Sequence, residues 1–242
     1  DAAQAWQPTL EDLRRHWSPR TRGIILASPS NPAGTLIDPA ALDEMAGWVR
    51  ARGGFVVLDE IYQGLVYGER PASRLAGRDG VFIINSFSKY FCMTGWRLGW
   101  AVVPDALHGA VEKLAQNIFI CPSAPAQYAA LAAFGPDNLA VLETRREEYR
   151  RRRDWLVPRL VELGFDIPAI PEGAFYIYAG CRRFGADSAA FAADVLEQAL
   201  VAITPGADFG SHGAESHVRF AYTRALPELE EGVARLEKYL RR

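Results

Sequence analysis

Three short apolar runs, each closing on a polar turn, constrain the fold of this chain more than any other feature. They are Gly23–Ala27, Phe55–Leu58 and Val81–Ile84, and a helical stretch, Pro39–Arg52, separates the first two. None alternates in the way a strand with one wet face does. Near-continuous apolar strands between helices predict a parallel sheet covered on both faces. In such sheets ligands sit beyond the carboxyl ends of the strands. That rule directs attention to Ser28–Thr35, Asp59–Gly64 and Asn85–Lys89. A fourth run, Leu98–Val103, follows a short connection containing Gly95 and reads as an antiparallel partner.

The second half has a different grain. Asp105–Asn117 and Ala124–Phe134 read as helices, and Pro136-Asp137-Asn138 is a break that starts a long charged helix. This helix runs to about Leu163 and ends at Gly164. Short strands at Ala174–Tyr178 and Val218–Tyr222 alternate with helices near Asp187–Ala199 and Pro227–Leu240. The expected fold class is α/β: a three-layer, mostly parallel sheet over residues 1–137, followed by a small α+β domain over residues 138–242.

Bulk properties exclude several classes. The net charge of −2 in 242 residues gives no global signal for nucleic acid or an anionic membrane. No apolar run approaches the ~20 residues of a membrane span. The segment Arg145–Arg153 is rich in arginine, but Glu143, Glu147, Glu148 and Asp154 interleave with it, as expected of a solvated helix laced with ion pairs. The three cysteines, Cys92, Cys121 and Cys181, are odd in number and widely spaced, which fits a reducing, cytoplasmic setting rather than a disulfide framework or a metal cluster. No secretory signal is expected from these residues, and a start at Asp1 rather than methionine is expected of a piece of something longer.

Lysine is the rarest charge here. It stands only at Lys89, Lys113 and Lys238, while 24 of the 27 basic residues are arginine. Guanidinium stays protonated; a desolvated lysine amine deprotonates and attacks carbonyls. Lys113 and Lys238 lie in amphipathic helical segments that explain them. Lys89 lies in Ser86-Phe87-Ser88-Lys89-Tyr90-Phe91, directly after the third apolar run. Other strand ends carry further chemistry. Asp59-Glu60 closes the second run, a pattern that also suits the magnesium strand of a P-loop ATPase, but no glycine-rich loop ending in Gly-Lys-Ser/Thr occurs. Asn31 sits in Ser28-Pro29-Ser30-Asn31-Pro32-Ala33-Gly34-Thr35, which is either an ordinary turn or a turn that aims an amide into a site. Arg97, between Gly95 and Gly99, offers a planar fork matched to phosphate. With Tyr62 and Ser86 these residues make up an amine, a carboxylate, a phenol, an amide, a hydroxyl and a cation. Pyridoxal phosphate demands such a list.

The segments SPSNPAGT, VVLDEIY and SFSKYFCMTGWRLGW, with PEGAFYIY, ITPGADFG and VRFAYT in order after them, resemble class I aminotransferases of fold type I, and most of all the bacterial aspartate-aminotransferase-like group. The resemblance spans essentially the whole chain. It implies that Lys89 forms the Schiff base with pyridoxal 5'-phosphate, that Asp59 pairs with the pyridine nitrogen, and that Tyr62 and Asn31 bond the ring oxygen. Ser86, Arg97 and Ser88 would hold the phosphate. Asn31 and Arg219 would bind the substrate carboxylate, where residues alone read Arg219 as a surface arginine on a strand. Cys92 stands where the family usually has a smaller residue, and no chemistry is assigned to it. The implied activity is amino transfer between an amino acid and a 2-oxo acid, in a cytoplasmic homodimer. A carbon–sulfur β-lyase and an aminotransferase-like regulatory domain are the alternatives. The family's N-terminal arm, phosphate-cradling loop and stacking aromatic have no counterpart here; Trp6 and Trp17 are in the wrong place to stack. The chain resembles the C-terminal two-thirds of an aminotransferase.

Overall fold

Helix α1 (Leu10–His16) is the first α-helix of the computed structural model, which describes residues 2–69, 73 and 75–241. Thr9 Oγ1 accepts the Asp12 N–H at 3.2 Å, and the Asp12 carboxylate accepts the Thr9 N–H at 3.0 Å. This reciprocal capping box satisfies orphan donors at the helix start. No helix is expected here from the apolar pattern, although Thr-x-x-Asp is the signal that announces one.

Strand β1 (Gly23–Ala27) leads to helix α2 (Pro39–Arg50), then β2 (Phe55–Asp59), β3 (Val81–Ser86) and β4 (Gly99–Val102). The Asp38 side chain accepts from the N–H groups of Ala40 and Ala41, and Pro39 occupies the first turn, so α2 has a firm start. Its buried residues Leu42, Met45, Ala46 and Val49 recur at helical spacing and form one stripe. That stripe packs on Leu26, Val56, Leu58, Val81 and Ile83 from one face of the sheet. Replacing the fully buried Met45 with alanine would cost roughly 2–5 kcal/mol through lost burial and the residual cavity.

The strand order is β1-β2-β3-β4, with the first three parallel and β4 antiparallel to β3. Register places Ile25, Val57 and Phe82 in one row, and Ala27, Asp59 and Ile84 in the next. These rows lie on the face opposite α2. There the expectation of two covered faces meets a difference: Ile25 is 77% exposed, and Phe55 and Ile84 are also exposed. The helices α3 (His108–Ile118) and α4 (Ala124–Ala133) bury little; α3 has no buried residue, and α4 sets Ala130 against Phe87 and Met93.

Helix α5 (Pro136–Leu163) carries the arginine-rich segment. Its ion pairs are those the interleaved charges predicted, including Arg146–Glu143 at 2.8 Å, Arg150–Glu147 at 2.6 Å and Arg152–Glu148 at 3.0 Å. Beyond it come β5 (Tyr176–Gly180), α6 (Ser188–Ala199), β6 (Thr204–Pro205), β7 (His217–Ala221) and α7 (Leu226–Leu240). The three strands form an antiparallel sheet in the order β5-β7-β6. Strand β5 starts two residues later than expected because Ala174 has φ +58°, a left-handed conformation incompatible with a ladder.

The chain divides into two compact units. The parallel-sheet unit contains Gln7–Pro29 and Leu36–Arg146; the antiparallel unit contains residues 2–6, 30–35 and 147–241. Among the described residues no helix is long and apolar enough to cross a membrane.

Candidate active site

In the parallel-sheet unit the strand ends gather six of the eight residues singled out above. Asp59 ends β2, and its carboxylate accepts the Ile61 N–H at 3.0 Å, which turns the chain at once. Tyr62 follows and is buried. Lys89 lies just past β3, half-buried, with Nζ 5.7 Å from the centre of the Tyr62 ring. Because β2 and β3 are parallel neighbours, with Asp59 beside Ile84, the carboxylate and the amine leave the sheet at the same edge.

The Lys89 turn is tied by its hydroxyls. Ser86 Oγ donates to the Leu98 carbonyl at 3.3 Å and accepts the Ser88 N–H at 3.0 Å. Thr94 Oγ1 donates to the Ser88 carbonyl at 2.6 Å, and the Cys92 N–H donates to the Lys89 carbonyl at 3.0 Å. Arg97 is exposed and in the left-handed region at φ +54°, with Nη1 donating to the Thr94 carbonyl at 2.8 Å. Of the two glycines around it, Gly95 faces open space. A Cβ on Gly99 would lie 2.6 Å from the Asn85 carbonyl oxygen, so that glycine is needed for the approach of β4 to β3.

Next to Asp59, Glu60 is buried and unlike it. Its carboxylate accepts from the Ser73 hydroxyl at 2.7 Å, and burial pushes its pKa up.

The antiparallel unit holds Asn31 and Arg219. Arg219 lies on β7, opposite Tyr178 of β5 and Thr204 of β6. Its Nη1 donates to Asn31 Oδ1 at 2.9 Å, and its Nη2 lies 3.3 Å from Thr204 Oγ1. The rings of Tyr176 and Phe209 lie 4.2 Å and 4.6 Å from the guanidinium carbon, close enough for cation–π attraction. Its Nε is buried and has no hydrogen-bond partner among the described residues. A guanidinium so fixed, with an orphaned donor, fits a planar anion such as a carboxylate. The loop bearing Asn31 is closed by Ser30 N–H to the Thr35 carbonyl at 3.0 Å, and the Thr35 hydroxyl donates to the Ala5 carbonyl at 2.6 Å. Gly34 has φ +70° and its carbonyl accepts from the N–H groups of Glu172 and Gly173 at 2.9 Å; any Cβ there would meet the Gly173 carbonyl oxygen at 2.7 Å.

Sequence reasoning missed Thr204, Tyr176 and Phe209 as partners of Arg219, although PEGAFYIY and ITPGADFG already marked their segments. Trp6 packs edge-on against Tyr178 and His217, at 5.1 Å and 4.7 Å, and Trp17 against Trp48 at 5.3 Å. A hollow of the antiparallel unit is lined by Leu156, Leu160, Phe220 and Leu229 among others, and contains none of the eight candidate residues.

An amine and a carboxylate thus close the ends of neighbouring parallel strands in one unit, and the other unit holds a guanidinium suited to a carboxylate. The family of class I and II aminotransferases matches residues 1–236, and the chain belongs to that family. It is 40% identical over 238 residues to a valine–pyruvate aminotransferase of Mycobacterium tuberculosis, covering 97% of this chain and 61% of that protein. It is 35% identical over 238 residues to an aspartate aminotransferase of Pyrococcus abyssi, covering 96% and 60%. A crystal structure of an aminotransferase from Mycobacterium tuberculosis superposes with a TM-score of 0.93 at 38% identity, covering 99% of this chain and 62% of that one. The chain thus spans about three fifths of the length of the curated relatives it matches.

Proposed function

We propose that the protein to which this chain belongs is a pyridoxal-phosphate-dependent aminotransferase, moving an amino group between an amino acid and a 2-oxo acid. The observation that carries this reading is Lys89: a half-buried amine at the end of a parallel strand, over the Tyr62 ring and one strand from Asp59, in a chain of this family. The donor set fits the cofactor. Lys89 would bind its aldehyde, Asp59 its ring nitrogen, Tyr62 and Asn31 its ring oxygen, and Ser86, Ser88 and Arg97 its phosphate. When bound, pyridoxal phosphate supplies an aldehyde that exchanges amines and a ring that takes up an electron pair.

The chain's own residues supply the rest. The Lys89 amine takes the substrate α-proton and gives it back at a neighbouring carbon, one positioned base working in both directions. The Asp59 carboxylate would keep the ring nitrogen of the bound cofactor protonated, which would stabilise charge developing in the transition state. Arg219 grips the substrate carboxylate, preorganised by Asn31, Thr204 and the two rings, and so holds the α-carbon in place. The two curated relatives are named for different amino acids, valine and aspartate, at similar identity to this chain. That supports the shared amino-acid and oxo-acid ends of the substrate, and not one side chain. The reading includes a homodimer in the cytoplasm. Exposed Ile118, Phe119, Ile120 and Leu131 offer apolar surface for the first, and the free thiols Cys92, Cys121 and Cys181 suit the second.

The test is Lys89→Arg in the full-length protein. Transamination should fall by about 10²–10⁴-fold, the usual worth of a positioned base; a wild-type rate would refute the assignment.

A further inference from the structure

The residue after the nucleophile is tied into a circuit that none of the roles above uses. The Tyr90 ring is buried, and a Cβ placed on Gly64 would lie 2.5 Å from it, so ring and loop backbone touch directly. The Tyr90 hydroxyl donates to Glu143 Oε1 at 2.5 Å. The other oxygen of Glu143 accepts from Arg146 Nε at 2.8 Å, and Arg146 Nη1 donates to the Val66 carbonyl at 2.8 Å. Gly64 lies within the short helical turn Gln63–Leu65 that follows Tyr62, and Val66 closes that turn. The circuit therefore joins two turns: the one after β2, which carries Tyr62, and the one after β3, which carries Lys89. All of it lies in the parallel-sheet unit.

We infer that Tyr90 is a positioning residue for Lys89: its hydroxyl, locked to Glu143, sets the two turns against each other and so fixes where the Lys89 amine stands over the Tyr62 ring. The Ser88 N–H to Ser86 Oγ bond and the Cys92 N–H to Lys89 carbonyl bond hold residues 88–92 within their own turn. The Tyr90–Glu143–Arg146 link reaches from that turn to the neighbouring one through charge-assisted hydrogen bonds, the stronger kind. The inference rests on the proposed role of Lys89, but it concerns the amine itself.

Scarcity of lysine makes the test clean. Lys113 and Lys238 are exposed on α3 and α7 and serve as internal references. The full-length protein, freed of cofactor, is labelled with trace acetic anhydride, and the Lys89:Lys113 and Lys89:Lys238 ratios are read by peptide mass spectrometry. Tyr90→Phe keeps the ring and removes the hydroxyl; it should shift both ratios by about threefold or more, as loss of one hydrogen bond would. Glu143→Leu should reproduce the shift from the far end of the bond, and the double variant should add nothing to either single one. Glu143→Gln keeps an acceptor and should hold the ratios near wild type. Unchanged ratios in Tyr90→Phe and Glu143→Leu would overturn the inference, as would an equal change at all three lysines, which marks a role in folding alone. If Tyr90→Phe does not fold, Glu143→Leu decides. These ratios keep their meaning whichever way Lys89→Arg affects transamination, so the two readings fail separately.

Discussion

Arg219 in the antiparallel unit and Arg97 in the parallel-sheet unit are both assigned to anions, yet they are held in different ways. Arg219 is clasped by an amide at 2.9 Å, approached by a hydroxyl at 3.3 Å, and lies against two aromatic rings, with one buried donor left over. Arg97 is exposed, bonded only to the Thr94 carbonyl of its own turn among the described residues, and sits in a left-handed backbone conformation. A clasped guanidinium has already lost its rotamer freedom, so an arriving carboxylate meets a finished grip. An exposed one must be ordered by the anion it binds, and that ordering subtracts from affinity. In its proposed role Arg219 is clasped before a carboxylate arrives, whereas Arg97 in its proposed role is held by one bond of its own turn.

Three variants would break or sharpen that contrast. The largest effect is expected from Arg219→Lys. It removes the planar fork and the ring contacts together, and kcat/KM for the amino acid should fall by roughly 10²-fold. Thr204→Val, which touches only the long 3.3 Å bond, should cost a few-fold at most. Similar losses in the two variants would mean that Arg219 is not preorganised as described. Next comes Arg97→Gly. Cofactor affinity should fall by about tenfold, while the cofactor-free protein gains up to about 1 kcal/mol, because glycine relieves the left-handed strain at φ +54°. Thermal unfolding with and without pyridoxal phosphate measures both, and a less stable cofactor-free variant would show that the turn depends on the arginine side chain.

The smallest effect concerns the adjacent acids of the parallel-sheet unit. Glu60 is buried and its pKa is raised by that burial, so the folded state keeps its proton to a higher pH than the unfolded state does. The folded state then binds more protons over the interval that starts at the ordinary glutamate value and ends at the raised one, and stability falls as pH rises through it. Glu60→Gln should flatten that part of the stability profile and leave the protein slightly more stable at neutral pH. Denaturant midpoints across the acidic range check this; a variant less stable at neutral pH would show that the ionised carboxylate is needed.

Much of the fold was legible because the strands carry their burial in their composition. The runs that became β1, β2 and β3 stood out at once, and Lys89 was conspicuous in a chain that otherwise uses arginine. What was not legible depends on long-range contact. Asn31 and Arg219 meet across 188 positions of sequence. The stretch 30–35 belongs with residues 147–241 through bonds such as that from Glu172 to Gly34, which no local pattern announces. The onset of β5 was obscured by the left-handed Ala174, since alanine gives no hint of φ > 0. The sheet's second face was a different matter: an apolar strand says what it is fit to be buried by, and Ile25 shows that fitness is not the same as cover.

That open face has a practical side. Ile25, Phe55 and Ile84 present apolar side chains on one face of the parallel strands. Such a surface behaves as an adhesive: its effect scales with how many molecules share a drop of solution, and not with how firmly each is folded. Dilution, detergent or a binding dye would act on it while leaving the Met45–Val49 side of the same sheet untouched.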